Sequence, residues 1–124
     1  MWTMQRFIEW AFGPDRVFEA VKLVHQAQVL TEGLLDTPED DTLRRNLSLE
    51  LLELRNTADA HRWMEEGNIA AALVRLPRVP DEVRLVVHQL RSGLHALERL
   101  MRARLAIAIT LSLPAPHQAI RRVA

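Results

Sequence analysis

Apolar and polar positions along this chain repeat at helical spacing and nowhere alternate for long, so helices are predicted and strands are not. Gly13-Pro14, Thr37-Pro38, Gly67-Asn68, Pro77 to Pro80 and Pro114 to Pro116 punctuate the pattern. Between these marks the spacing predicts helices over about 3–11, 15–35, 38–66, 69–76 and 80–111. Thr37-Pro38-Glu39-Asp40-Asp41 reads as a start: a threonine cap, proline at the first helical position, then three carboxylates at the positive end of the helix dipole. Gly67-Asn68 reads as a stop followed by a fresh cap. Three long and two short helices joined by short loops imply an all-α fold, an antiparallel helical bundle.

The 80–111 segment separates its faces most cleanly. At 100° per residue, Val83, Val86, Leu90, Leu94, Leu97, Leu100, Met101 and Leu105 turn toward a core. Arg84, His88, Arg91, His95, Arg99 and Arg102 fall on one narrow polar stripe, with Glu98 at its margin. The 38–66 segment is apolar on two sides. Leu43, Leu47, Leu51, Leu54 and Ala58 line one face, and Leu49, Leu52 and Trp63 lie nearly opposite. Such a helix is either sandwiched inside the bundle or covered by a second subunit, so a homodimer completing the bundle is one expectation.

Length adds one constraint: 124 residues make a single domain, 1–124, able to bury a real core. Within it, residues 1–12 form an aromatic arm and 113–124 a short C-terminal tail. Trp2, Phe7, Trp10, Phe12 and Phe18 are five of the chain's six aromatics. Their angular positions do not converge, so the arm is no tidy amphipathic membrane helix; it packs over its own core or inserts into a partner. No cysteine is present, which removes disulfide scaffolds, thiolate metal sites and cysteine nucleophiles and fits a reducing, cytoplasmic setting. The first residues lack the basic-then-apolar pattern of a signal peptide. The longest apolar stretch, Leu105 to Leu113, is far shorter than the ~20 residues a membrane span requires.

The net charge of zero hides a split. Residues 1–66 hold 13 acids and 7 bases, and residues 67–124 hold 3 acids and 9 bases. The basic stripe therefore meets either this chain's own acidic half, through residues such as Glu50, Glu53 or Asp59, or an acidic partner. Glu65 and Glu66, like Asp40 and Asp41, read as cap and solvent positions.

Two short motifs carry chemistry. Val87-His88-Gln89-Leu90-Arg91-Ser92-Gly93-Leu94 resembles the phospho-accepting box of sensor histidine kinases and is similar to the pattern of histidine phosphotransfer domains. The resemblance implies phosphoryl acceptance by an exposed His88, steadied by Arg91, with Gly93 giving a receiver domain access. Gln89 stands where the kinase box has an acid, and Gly93 where it has proline. Arg55-Asn56 followed by His61 resembles the signature of HEPN helical ribonucleases, which implies that Arg55 and His61 act on an RNA phosphate across a dimer. By helical geometry His61 falls on the Leu47–Leu54–Ala58 side, about 120° round from Arg55.

No metal or cofactor is expected. His88 and His95 stand about 10 Å apart along a helix axis, and the four glycines form no phosphate loop. Nucleic-acid binding would use Arg84, Arg91, Arg99 and Arg102, but no aromatics interleave with them. The sequence therefore points to a small non-enzymatic adaptor or regulatory protein, binding a protein partner through the basic helix face or the aromatic arm. Phosphotransfer through His88 and RNA binding or cleavage through Arg55 and His61 are the alternatives.

Overall fold

A computed structural model describes residues 3–6, 13–78 and 82–112. Among these residues the chain is all-helical, without strands. The elements are α1 (Pro14–Asp36), α2 (Asp41–Ala60), α3 (Met64–Leu73), a 3-10 turn (Leu76–Arg78) and α4 (Val83–Ser112). Most of the aromatic arm and the C-terminal tail lie outside the described residues.

Proline at the first position of α1 sacrifices an amide that no helix would use, and the Gly13 carbonyl accepts the amides of Arg16 at 3.1 Å and Val17 at 3.3 Å. The helix buries Val17, Ala20, Val21, Val24, Ala27, Thr31 and Leu34, a stripe at three- and four-residue spacing. The buried Thr31 hydroxyl is satisfied by donating to the Ala27 carbonyl at 2.7 Å.

Thr37 does not start the second helix as its neighbours suggested. It closes the first: its amide and its Oγ1 both donate to the Gly33 carbonyl, at 2.9 and 3.0 Å. Pro38 and Glu39 make a turn, and Asp40 is the true cap of α2, its Oδ1 accepting the Leu43 amide at 3.1 Å. The start signal was real but sat three residues too early, because Thr37 was needed by the helix behind it.

The predicted 38–66 helix is two helices. After Ala60 the chain turns with Arg62 in the left-handed region at φ 59°. The Trp63 amide donates to Ala58 and the Arg62 amide to Asp59, at 2.8 and 3.2 Å. This pair of bonds is the Schellman ending, made here with arginine in the place glycine usually takes. Trp63 is therefore not on α2 at all. It is buried in the core, and the second apolar side that suggested a dimer shrinks to exposed Leu49 and part-buried Leu52.

Gly67, expected as a stop, lies inside α3. A Cβ there would stand 2.9 Å from Asp59 Oδ1, so its service is close approach to the end of α2. Gly93 does the same for α3 and α4: a Cβ would meet Leu73 Cδ2 at 2.5 Å.

The helices pack against one another around a single core. α1 lies against α2 and α4, and α3 lies against the same two. The backbones of α2 and α4 do not approach each other, nor do those of α1 and α3. Leu34, Leu47, Leu51, Trp63, Leu90, Leu94, Leu97 and Met101 are the largest side chains closed off at the centre. On α4 the expected inward positions Val86, Leu90, Leu94, Leu97 and Met101 are buried, and Val83 and Leu105 pack at the margin. No helix among the described residues is long and apolar enough to cross a membrane.

Candidate functional site

Arg84, His88, Arg91, His95, Arg99 and Arg102 are all exposed along α4. They are not all available. Arg91 holds Glu32 of α1 with a two-pronged grip, Nε donating to Oε1 at 2.6 Å and Nη2 donating to Oε2. This guanidinium keeps the Glu32 carboxyl below the usual carboxylate range, and Glu32 in turn raises Arg91.

Arg102 is engaged by Glu98, four residues earlier on the same helix, with Nε at 3.1 Å and Nη2 at 3.0 Å from Oε1. Glu98 is a hub. Gln28 Nε2 donates to its Oε2 at 3.1 Å, and His25 Nε2 lies 3.3 Å from Oε1. These hydrogen bonds, from Gln28 first and then Arg102 and His25, pull the Glu98 carboxyl down to about 2.

The acids that meet the stripe are thus Glu32 and Glu98. Glu50, Glu53 and Asp59 do not reach it, because they lie on α2, which does not approach α4. Arg84, His88, His95 and Arg99 have no ion pair among the described residues. A groove of about 580 Å³ runs between α1 and α4, with His25, Glu32, Arg91 and His95 on its walls.

His88 is exposed, as phosphoryl acceptance requires, but its supporting residues are committed elsewhere. Arg91 is taken by Glu32, and Gly93 is packed beside Leu73. His61 follows the last turn of α2, and its ring stacks on Trp63 with centroids 4.9 Å apart and planes inclined by 23°. A small pocket of about 270 Å³ opens beside it, walled by Arg16, Glu19, Glu53 and Asn56 among others; Arg55 is not on its lining. Arg55 and His61 do not line this pocket together.

One ion pair was invisible to motif reading. Glu66, expected in solvent, is 2% exposed, and both its oxygens accept from Arg104 of α4, Nη2 to Oε1 at 3.2 Å and Nε to Oε2. The guanidinium carbon of Arg104 also sits 5.3 Å from the centre of the Trp63 ring. The signal was in the spacing: Arg104 follows Leu90 and Leu97 at intervals of seven, so an arginine occupies a core-facing row and requires an acid there.

A second groove, of about 520 Å³, lies between α1 and α2 and includes Glu50. Glu50 Oε2 is buried without a hydrogen-bond partner among the described residues. Burial, and then the nearby Glu53 charge, push this carboxyl up. No group of three or more His, Asp or Glu side chains among the described residues is placed to hold a metal ion. Compared with protein-family models, curated proteins and solved structures, the chain matches none.

Proposed function

We propose that this chain is a non-enzymatic helical adaptor or regulatory module that engages an acidic protein surface through the outer face of α4. The observation that carries this reading is the division of the stripe. Arg91 and Arg102 are neutralised within the chain, whereas Arg84, His88, His95 and Arg99 stand exposed with no ion pair among the described residues. From 84 to 99 these four extend about 22 Å along the helix, a length suited to a partner helix or strand bearing carboxylates.

The scaffold behind this face is an antiparallel bundle. Glu32 pairs with Arg91 and His25 with Glu98, so positions later on α1 meet positions earlier on α4. A cytoplasmic setting agrees with the absence of cysteine.

Fluorescence anisotropy of a labelled acidic helical peptide, at low and near-physiological salt, tests the reading. Binding that weakens about tenfold or more in an Arg84→Glu, Arg99→Glu double variant, with an unchanged circular dichroism spectrum, is expected. Mixed-sequence RNA and DNA are titrated beside it. Nucleic acid bound in preference to the peptide, and lost in the same variant, would turn the face into a phosphate-contacting surface. No binding of either at low salt would end the reading. A second reading, phosphotransfer at His88, rests on the exposure of that side chain; label uptake from a phosphorylated receiver, unchanged in His88→Ala, would dismiss it.

A further inference from the structure

The outer face made by α1 and α2 carries Val29, 72% exposed, and Leu49, 57% exposed, on the rims of one groove. Single exposed apolar residues are ordinary on a protein surface. These two stand among charges that have nothing to pair with. Lys22 and Val29, seven residues apart, project from one side of α1, and Arg45, Leu49 and Glu53, at four-residue steps, project from one side of α2. Lys22, Arg45 and Glu53 are all exposed, and none has an ion pair among the described residues. Lys22 lies only over the Phe18 ring, 5.0 Å from its centre.

The register of the two helices sets which of these residues share a level. Gly33 stands beside Leu43, whose Cδ1 would be 2.8 Å from a Cβ there, and Arg16 and Glu19 line one pocket with Thr57 and Ala60. From the Gly33–Leu43 level, four residues back along α1 and six forward along α2 bring Val29 and Leu49 within about 3 Å of a common level. Eleven back and ten forward bring Lys22 level with Glu53; one back and two forward bring Glu32 level with Arg45. Within one chain these groups point outward, side by side, rather than at each other. A two-fold axis parallel to the helices lays α1 of one copy on α2 of another and keeps every level. Lys22 then faces Glu53 of the other copy, Val29 faces its Leu49, and Glu32, half exposed beside Arg91, faces its Arg45. Each contact occurs twice, and each matches opposite charge or apolar surface. Helices of this length offer a face about 30 Å by 20 Å, or about 600 Å² from each copy, which lies in the range of stable interfaces.

We propose that the α1–α2 face pairs with the same face of a second copy of this chain. The pairing forms a four-helix contact about a two-fold axis parallel to the helices, with Val29 and Leu49 at its centre and Lys22 to Glu53 ion pairs on one level. This interface leaves the outer face of α4 free, and it does not rest on the adaptor reading.

Sedimentation equilibrium of the full chain, from about 1 µM to about 1 mM, is expected to show monomer passing to dimer. Lys22→Glu and Glu53→Lys each set like charges against one another at two symmetric places, and each should weaken the dimer about tenfold or more. The two changes together restore opposite charges and should return most of the loss. All four residues concerned lie at the surface, so the circular dichroism spectrum should not change. A monomer throughout the range overturns the proposal, as does a dimer that Lys22→Glu leaves unaltered or one that the double change fails to restore. The chain has no cysteine, so crosslinking adds a clean second arm. A Val29→Cys chain mixed with a Leu49→Cys chain and oxidised should give chiefly the mixed disulfide. Disulfides formed chiefly between identical variants, or none at all, overturn the arrangement.

Discussion

Two arginines on α4 grip carboxylates with the same fork, and their surroundings make them different devices. Arg104 holds Glu66, whose side chain is 3% exposed, and has the Trp63 ring beside it. Arg91 holds Glu32 at the rim, where both side chains are about half exposed. In the first, water has been removed from the acid, so the arginine is its main source of compensation. In the second, water competes with each partner and screens the pair. The same pairing of guanidinium and carboxylate therefore means a structural fixture at one end of the helix and an adjustable surface at the other.

The largest effect should come from breaking the inner pair. Arg104→Ala leaves Glu66 buried and uncompensated, and should lower the unfolding free energy by about 3 kcal/mol, read from urea denaturation. The double change Arg104→Met with Glu66→Leu replaces the pair by apolar bulk and should recover most of that loss, because a buried ion pair is costly to halve but not to replace. If the single variant unfolds no more easily than wild type, water reaches Glu66 and the contrast between the two forks disappears.

The Glu98 hub lies between these extremes, and pH separates it from both. Its folded-state carboxyl is held at about 2 by Gln28, Arg102 and His25, below the ordinary value of about 4.3 in the unfolded chain. A depressed carboxyl stabilises the fold above the unfolded value and loses that contribution as pH falls through the folded one. Glu98→Gln should therefore cost on the order of 1 kcal/mol at neutral pH, discounted for solvent screening. The gap from wild type should close as pH falls from about 4.3 to about 2. Denaturation midpoints across that interval read it directly, and a gap that stays constant would mean that the hub works by shape rather than charge.

A smaller gain is expected at the turn that delivers Trp63 to Arg104. Arg62 sits at φ 59°, where a side chain is strained and glycine is not. Arg62→Gly should raise stability by about 0.5 kcal/mol, the relief being partly offset by a freer unfolded chain. A loss instead, seen as a lower thermal midpoint, would show that Arg62 contributes contacts of its own to the inner cluster.

How much of this was legible beforehand divides along the same line. The inward row of α4 and the outward stripe follow from periodicity, because burial of Leu90, Leu94 and Leu97 leaves Arg84, His88 and Arg99 no other side to occupy. The break at Arg62 was not legible, since the ending uses arginine where glycine is the usual sign, while Gly67 nearby serves helix contact. The Arg104 row position was readable, but its partner was not: Glu65 and Glu66 look alike in sequence, and only the docking of α3 on α4 buries one of them. The stripe's own partners were misplaced for the same reason. Glu50 and Glu53 carry the right charge, yet helix order in space put Glu32 beside Arg91 instead.

The smallest effect is the one that tests the adaptor reading most sharply. Arg91→Ala removes a fork whose two partners are both half in water, so the denaturation midpoint should not move measurably at near-physiological salt. Its removal also frees Glu32, placing an uncompensated acid beside His95 on the wall of the α1–α4 groove. An acidic partner approaching the face of α4 would then meet both a lost cation and an exposed anion. Peptide binding in Arg91→Ala should fall although stability does not, and Glu32→Gln in the same chain should restore part of it. If binding is unmoved in both, the partner does not reach the Arg91–Glu32 fork.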